Sequence, residues 1–169
     1  MAASAPAEAI LVDANLVLWA HHGGFPQHGA ARAWWAATLS ATALVGIPWP
    51  TILAFLRIST HPRALTRPLA IETAWEVVRG WLSRPNVRCP VPTERHAEIL
   101  GGLLAAGHAA GNHTTDAHLA ALAIEWGLEL QSSDRDFARY PGLRWRDPLL
   151  VFRGGERRLG SPRRLPEAE

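Results

Sequence analysis

The sequence predicts a single α/β domain built on a mainly parallel sheet. Three observations carry this reading. Short apolar runs of strand length alternate with longer segments of helical periodicity. Pro and Gly stand at most of the junctions between them. The first run, residues 9–14 (AILVDA), is apolar without alternation, as in a strand covered on both faces, and it closes on an acid.

The elements follow in order. Residues 9–14 form the first strand. Residues 28–40 are helical, Ala-rich around the Trp34–Trp35 pair, and residues 44–47 are a second short strand. Pro50 suits the first turn of a helix over 50–60, which Pro62 stops. Pro68 opens a helix to about Arg84 with Ile71, Trp75, Val78 and Leu82 on one stripe. Residues 86–90 are a third strand, and 93–108 a helix capped by Thr93 and ended near Gly107. Thr114 or Thr115 caps a helix through Trp126, with Gly127 at its C-terminal end. Residues 128–131 and 143–146 complete the sheet. The expected organisation is an N-terminal extension over 1–9, the folded domain over 10–148, and a basic, flexible Arg/Gly/Pro-rich tail over 149–169.

Composition narrows the classes of function. With 48% apolar and 19% charged residues, the chain has the balance of a globular protein. No apolar run reaches the ~18 consecutive residues of a membrane span. Residues 1–8 are Ala-rich without a basic residue, unlike a secretion signal. Cys89 is the only cysteine, which excludes an intrachain disulfide and a CxxC metal or redox site. A reducing, cytoplasmic setting is the expectation. All seventeen basic residues are Arg. A GC-rich genome produces the same usage, yet guanidinium also suits phosphate, so the charge is compatible with nucleic acid and does not by itself indicate it.

Three acids stand where a parallel sheet gathers ligands. Asp13 ends the first strand, Asp116 lies in the first turn of its helix, and Asp134 follows the strand after that helix. Clustered carboxylates repel unless a cation lies between them, and oxygen ligands select hard ions such as Mg²⁺ or Mn²⁺. Such a site suits phosphodiester hydrolysis. Each acid also has a plain structural role open to it. A first-turn Asp complements the helix dipole, and Ser133-x-x-Asp136 matches a capping box, so one acid of that stretch serves only to start a short helix on this reading. Asp13 is harder to dismiss, because a buried carboxylate needs a partner.

The segments Leu11-Val12-Asp13-Ala14-Asn15, Thr115-Asp116-Ala117-His118-Leu119-Ala120-Ala121-Leu122-Ala123 and Ser132-Ser133-Asp134-Arg135-Asp136-Phe137, in this order, resemble the PIN-domain ribonucleases, in particular the VapC toxins of bacterial toxin–antitoxin pairs. The stretch from Pro48-Trp49 through Phe55-Leu56-Arg57-Ile58 to His61-Pro62 is similar to one branch of them, and the match runs from about Ile10 to Pro148. The resemblance implies a three-layer α/β/α sandwich with about four to five strands, and Mg²⁺- or Mn²⁺-dependent cleavage of RNA. It makes Asp13, Asp116 and Asp134 the metal-binding, catalytic acids, with Asn15 and Ser132 as supporting hydrogen-bond donors and Asp136 as added charge or a structural acid. It also implies a VapB-type antitoxin partner and a homodimer. Many relatives carry a Glu where Ala54 stands here, and no acid occurs between Asp13 and Glu72. Glu125, nine residues beyond Asp116, falls on the opposite helical face and is a poor replacement. A catalytically weak module that binds RNA or protein is therefore the alternative. A phosphatase-like hydrolase is disfavoured, since no Asp-x-Asp or Gly-rich phosphate loop follows the first strand.

Other features weigh less. Of the eight Trp, Trp75, Trp81 and Trp126 read as core, whereas Trp49, just after a strand, is placed to line a site. His113 contacts substrate beside Asp116 or is a solvated loop residue, and its five-residue separation from His118 argues against a histidine zinc site. Arg57 and Arg63 hold phosphate or form a solvated positive face.

Overall fold

A computed structural model describes residues 9–41 and 43–150. Five strands form one wholly parallel sheet in the order β3-β2-β1-β4-β5. They are β1 (Ile10–Val12), β2 (Val45–Gly46), β3 (Val87–Arg88), β4 (Glu129–Gln131) and β5 (Trp145–Arg146). Six α-helices connect them: α1 (Ala14–His21), α2 (His28–Ser40), α3 (Trp49–Ser59), α4 (Ile71–Leu82), α5 (His96–Ala106) and α6 (His113–Trp126). A single 3₁₀ turn, Arg135–Arg139, lies between β4 and β5. The three-layer α/β/α architecture is as the sequence predicts.

Alternation along β1 divides the core into two. Val12 joins the cluster formed with α1, α2, α3 and α4, while Leu11 joins Leu130 and the buried face of α6 on the other side of the sheet. The first cluster centres on Phe55 and Trp81, whose rings meet edge-on at 4.7 Å, with Trp35 edge-on to Trp81 at 5.7 Å. Gly46 lets β2 pack closely, because a Cβ there would come within 3.0 Å of Leu128 and Pro90. Gly127 ends α6 in the left-handed conformation at φ 64°, as predicted.

Several local expectations are corrected. Helix α1 was not foreseen, because Leu16, Val17, Leu18 and Ala20 are all buried and leave no polar stripe to mark a period. Helix α4 begins at Ile71 rather than Pro68, and its buried face is Ala74, Val78 and Trp81. Ile71 and Trp75 are instead exposed, as is Trp126, so two of the three tryptophans assigned to the core are on the surface. Helix α5 begins at His96, and Thr93 caps the turn that leads into it, its Oγ1 accepting from the Arg95 amide at 3.2 Å while its hydroxyl donates to Glu125 Oε1 at 2.6 Å. Helix α6 starts two or three residues early, with Asn112 at its N-cap and both Thr114 and Thr115 inside. Leu149, expected at the start of the tail, is fully buried in the first cluster. The remaining tail positions 151–169 and the N-terminal positions 1–8 lie outside the described residues.

Candidate metal centre

The site is assembled where β1 and β4 end side by side. Val12 pairs with Gln131, and the Asp13 amide extends the ladder by donating to the Gln131 carbonyl at 3.1 Å. Each strand then turns away and leaves its next side chains at the sheet edge, Asp13 from β1, Ser132 and Asp134 from β4. Asp13 is the N-cap of α1, its Oδ1 accepting from the Ala14 amide at 2.6 Å.

Ser132 is the hub. Its hydroxyl donates to Asp13 Oδ2 at 2.7 Å and accepts from the Asp134 amide and from Asn15 Nδ2, each at 3.0 Å. One donor and two lone pairs are thereby all used. This fixes the Asn15 amide, because only its nitrogen can donate to an oxygen whose proton is already committed. Asn15 Oδ1 is then left buried with no partner among the described residues. Trp145 supports the hub from β5 by donating to the Ser132 carbonyl at 2.9 Å.

Asp116 and Asp134 add charge to this cluster. Burial pushes the Asp13 carboxyl up to about 6, its hydrogen bonds from Ser132 and Ala14 oppose that, and the charges of Asp116 and Asp134 raise it further. Asp116 is likewise raised, first by burial and then by Asp134 and Asp136, against the hydrogen bond from His113. Asp134 Oδ1 accepts from the Asp136 amide at 2.8 Å, so Asp134 starts the 3₁₀ turn. The capping role read onto Ser133-x-x-Asp136 falls to Asp134, while Ser133 donates to Asp147 at 2.7 Å.

His113 proves to be the first residue of α6 and not a loop histidine. Its Nδ1 lies 3.2 Å from Asp116 Oδ2 and 3.8 Å from Asp136 Oδ2. Two neighbours were missed in the sequence. Arg139 approaches Asp136 at 3.4 Å, and Tyr140 donates to the His113 carbonyl at 2.8 Å. Burial raises the Tyr140 hydroxyl, and the charges of Asp116, Asp136 and Asp134 raise it further. As the chain's only tyrosine, four residues past Asp136, it carried no periodic signal.

The helix α3 residues divide. Thr51 donates to the Val12 carbonyl at 2.7 Å, which ties the start of α3 to the end of β1. Trp49, the first residue of α3, is 45% exposed, and its backbone is hydrogen-bonded with Cys89 just beyond β3. Ala54, one turn beyond Thr51, offers no oxygen. Arg57 lies about two turns farther from Trp49, roughly 12 Å along the helix, and faces a separate depression with His61 and Arg63. Glu125 points away from the site to His96 and Thr93.

The donor set is all oxygen and mutually repelling, and the Asn15 carbonyl beside it is buried without a partner among the described residues, which suits a hard divalent ion. Among the described residues no three acid, His or Cys side chains stand close enough to chelate an ion without moving. Asp13 and Asp134 are held by N–H and O–H donors, the Ala14 amide and Ser132 hydroxyl on the first and the Asp136 amide on the second.

Comparison with known proteins places the chain. The family model for the PIN domain matches residues 10–143. This chain belongs to the PIN-domain family. Ribonuclease VapC33 of Mycobacterium tuberculosis is 46% identical over 83% of this PIN-domain chain and 98% of its own length. Ribonuclease VapC37 of the same organism is 39% identical over 84% and 99%. The DNA-bound VapBC structure from Salmonella typhimurium aligns with TM-score 0.58 at 23% identity, over 83% of this chain and 98% of that one, and so bears on the fold alone. PIN-domain nucleases of the VapC type work with a divalent metal ion.

Proposed function

We propose that this protein is a metal-dependent endoribonuclease, the toxin of a toxin–antitoxin pair, cutting RNA phosphodiester bonds at the acidic cluster with Mg²⁺ or Mn²⁺. The observation that carries the reading is the Asp13 carboxylate on the Ser132 hydroxyl at the sheet edge, with the Asp134 amide on the same oxygen and the charges of Asp116 and Asp134 acting on Asp13. Curated relatives with this domain are named ribonucleases.

Asp13, Asp116 and Asp134 would hold the ion. A divalent ion bound there supplies positive charge to the phosphodiester transition state and lowers the pKa of bound water. Ser132 and Asn15 orient Asp13, and His113 orients Asp116 through its Nδ1–H. Asp136, near Asp116 and His113, supplies the fourth carboxylate that Ala54 does not. Trp49 and His113 flank the acids and meet the substrate, and Arg57 contacts phosphate farther out.

The partner is a VapB-type antitoxin whose basic or aromatic segment fills the acidic groove, and solved structures similar in fold are VapBC complexes. The toxin pairs as a homodimer and works in the cytoplasm. No helix of the described residues is long and apolar enough to cross a membrane.

Purified protein incubated with total RNA and Mn²⁺ should cleave it, and Asp13→Asn or Asp116→Asn should each reduce the rate at least a hundredfold. Chelation should abolish cleavage, and added Mg²⁺ or Mn²⁺ restore it. Cleavage that survives both substitutions would remove the proposed site. RNA binding with no cleavage by any form would favour the weak-module alternative that Ala54 suggests.

A further inference from the structure

Away from the acids, the molecule carries an unassigned depression of about 550 Å³ between the turn at Gly23–Phe25 and the loop 64–67. A second, of about 230 Å³, adjoins it at Ala64 and is lined by Arg57, His61 and Arg63. Both lie at the far ends of α1 and α3, whose first turns meet the acidic site. Eight residues of α1 separate the two places, about 12 Å.

Both walls are anchored. His22 Nε2 is hydrogen-bonded to Ser59 Oγ at 2.8 Å in the buried floor. The Leu69 amide donates to Ser59 at 2.7 Å, and the Ala64 and Leu65 amides donate to His61 at 3.0 and 3.3 Å. On the other wall His28 Nδ1 holds the Trp19 carbonyl at 2.8 Å. The carbonyls that end α1 and α3 are occupied as well, Leu18 by the His22 amide and Leu56 by Thr60. The depression is also lined by Arg67, Thr66, Gly23 and Gly24, and the Arg67 guanidinium, the Thr66 hydroxyl and the Gly23 and Gly24 amides donate to no acceptor among the described residues.

The charge around them has one sign. No Asp or Glu occurs between Asp13 and Glu72, while Arg32, Arg57, Arg63 and Arg67 fall within that span. Among the described residues, Arg57, Arg63 and Arg67 have no carboxylate partner, unlike Arg79, which pairs with Glu76 at 2.9 Å. Unpaired guanidinium groups with free amides favour phosphate oxygens. The half-buried Phe25 ring adds an apolar wall against which a base can stack. The volume is that of a small-molecule site and fits one nucleotide.

We propose that this pair of depressions is an anchoring subsite for single-stranded RNA, holding a nucleotide and its flanking phosphates some four nucleotides from the cut, at about 3.4 Å per nucleotide along a stacked strand. The proposal rests on the ribonuclease reading. An acidic protein segment would meet the same guanidinium groups but would make no use of the aromatic wall.

The test measures binding of labelled single-stranded RNA by fluorescence anisotropy, in an Asp13→Asn background that does not cut. Arg57→Ala/Arg63→Ala/Arg67→Ala should weaken binding at least tenfold and flatten the salt dependence by about 2, from about 0.7 per lost phosphate contact. Gly24→Asp, where a Cβ meets nothing within 4 Å, places a negative charge in the pocket without crowding and should weaken binding as well. The equal-charge control Arg79→Ala/Arg84→Ala/Arg95→Ala should change neither quantity much. Equal losses in pocket and control variants, or an unchanged salt slope in the pocket variant, would overturn the proposal. So would intact RNA affinity with lost affinity for an acidic peptide. The parent protein distinguishes the two levels: if it does not cleave RNA in a metal-dependent way, the ribonuclease reading fails, whereas cleavage with unaltered RNA affinity in the pocket variants removes the subsite alone.

Discussion

Asp13, the first of the proposed metal ligands, is held at a cost to the fold. Its carboxyl is raised to about 6, above the usual carboxylate range, chiefly by burial and further by the charges of Asp116 and Asp134. A carboxyl raised on folding favours the native state when protonated. That stability is complete below the unfolded value near 4 and is lost as the pH rises through about 6. At pH 8 the ionised group therefore costs on the order of 2–3 kcal/mol in the metal-free protein. Asp13→Asn should raise the melting temperature at pH 8 and do so far less at pH 4.5. Mn²⁺ should raise it for the parent and much less for the variant. The same sign governs the reaction: metal binding needs the carboxylate, so cleavage should fall as the pH drops below about 6. A calorimetric pH series in which Asp13→Asn destabilises at every pH would contradict this account.

At the scale of elements, α5 and α6 are joined by a polar chain on the side of α6 away from the acids. Glu125 accepts from the Thr93 hydroxyl at 2.6 Å and from His96 Nδ1 at 2.7 Å, and His96 Nε2 meets His118 Nδ1 at 2.8 Å. Burial alone would raise Glu125, but the bonds from Thr93 and His96 outweigh it and hold the carboxyl low. Burial lowers His118, and the neighbouring His96 adds to that. Glu125→Leu leaves the Thr93 hydroxyl and His96 without their acceptor and should cost about 1–3 kcal/mol. Because α6 turns its other face, with Asp116, to the acidic cluster, the proposed cleavage at a permissive temperature should stay close to that of the parent. Denaturant melts with parallel activity assays would separate the two effects, and a large loss of rate without loss of stability would assign Glu125 to the site after all.

The whole molecule divides its charge between two regions. The acids gather at one sheet edge, while the α1–α3 region carries Arg and His with no acid from residue 14 to 71. A polyanion can then be attracted by one region and cut at another only if a cation screens the acids. Apolar surface remains as well: Ile71 and Trp75, one turn apart on α4, are 53% and 39% exposed. Large residues left outside at helical spacing fit a face covered by a second copy of the chain. Trp75→Glu should convert the proposed dimer into a monomer in light scattering without loss of fold, whereas a parent that is already monomeric would remove this role for α4.

The alternation of short apolar runs with helical segments was enough to determine the α/β class, and the segments around Asp13, Asp116 and Asp134, in that order, carried the resemblance to the family, since each is a short local pattern. Helix α1 was not legible, because a helix buried nearly all round has no polar face to mark its turn. Nor was the face of α4, where Trp81 is buried and Trp75 is left outside by the packing of α3 and β3. At the site, the sequence alone left Asp136 and His113 undecided and gave Ser132 only a supporting place. Only the tertiary structure made Ser132 the hub, oriented Asn15, brought His113 to Asp116 and removed Arg57 to a pocket of its own. The physical reason is that these are contacts between residues up to 119 positions apart, as between Asp13 and Ser132, and such pairings depend on which strands lie side by side.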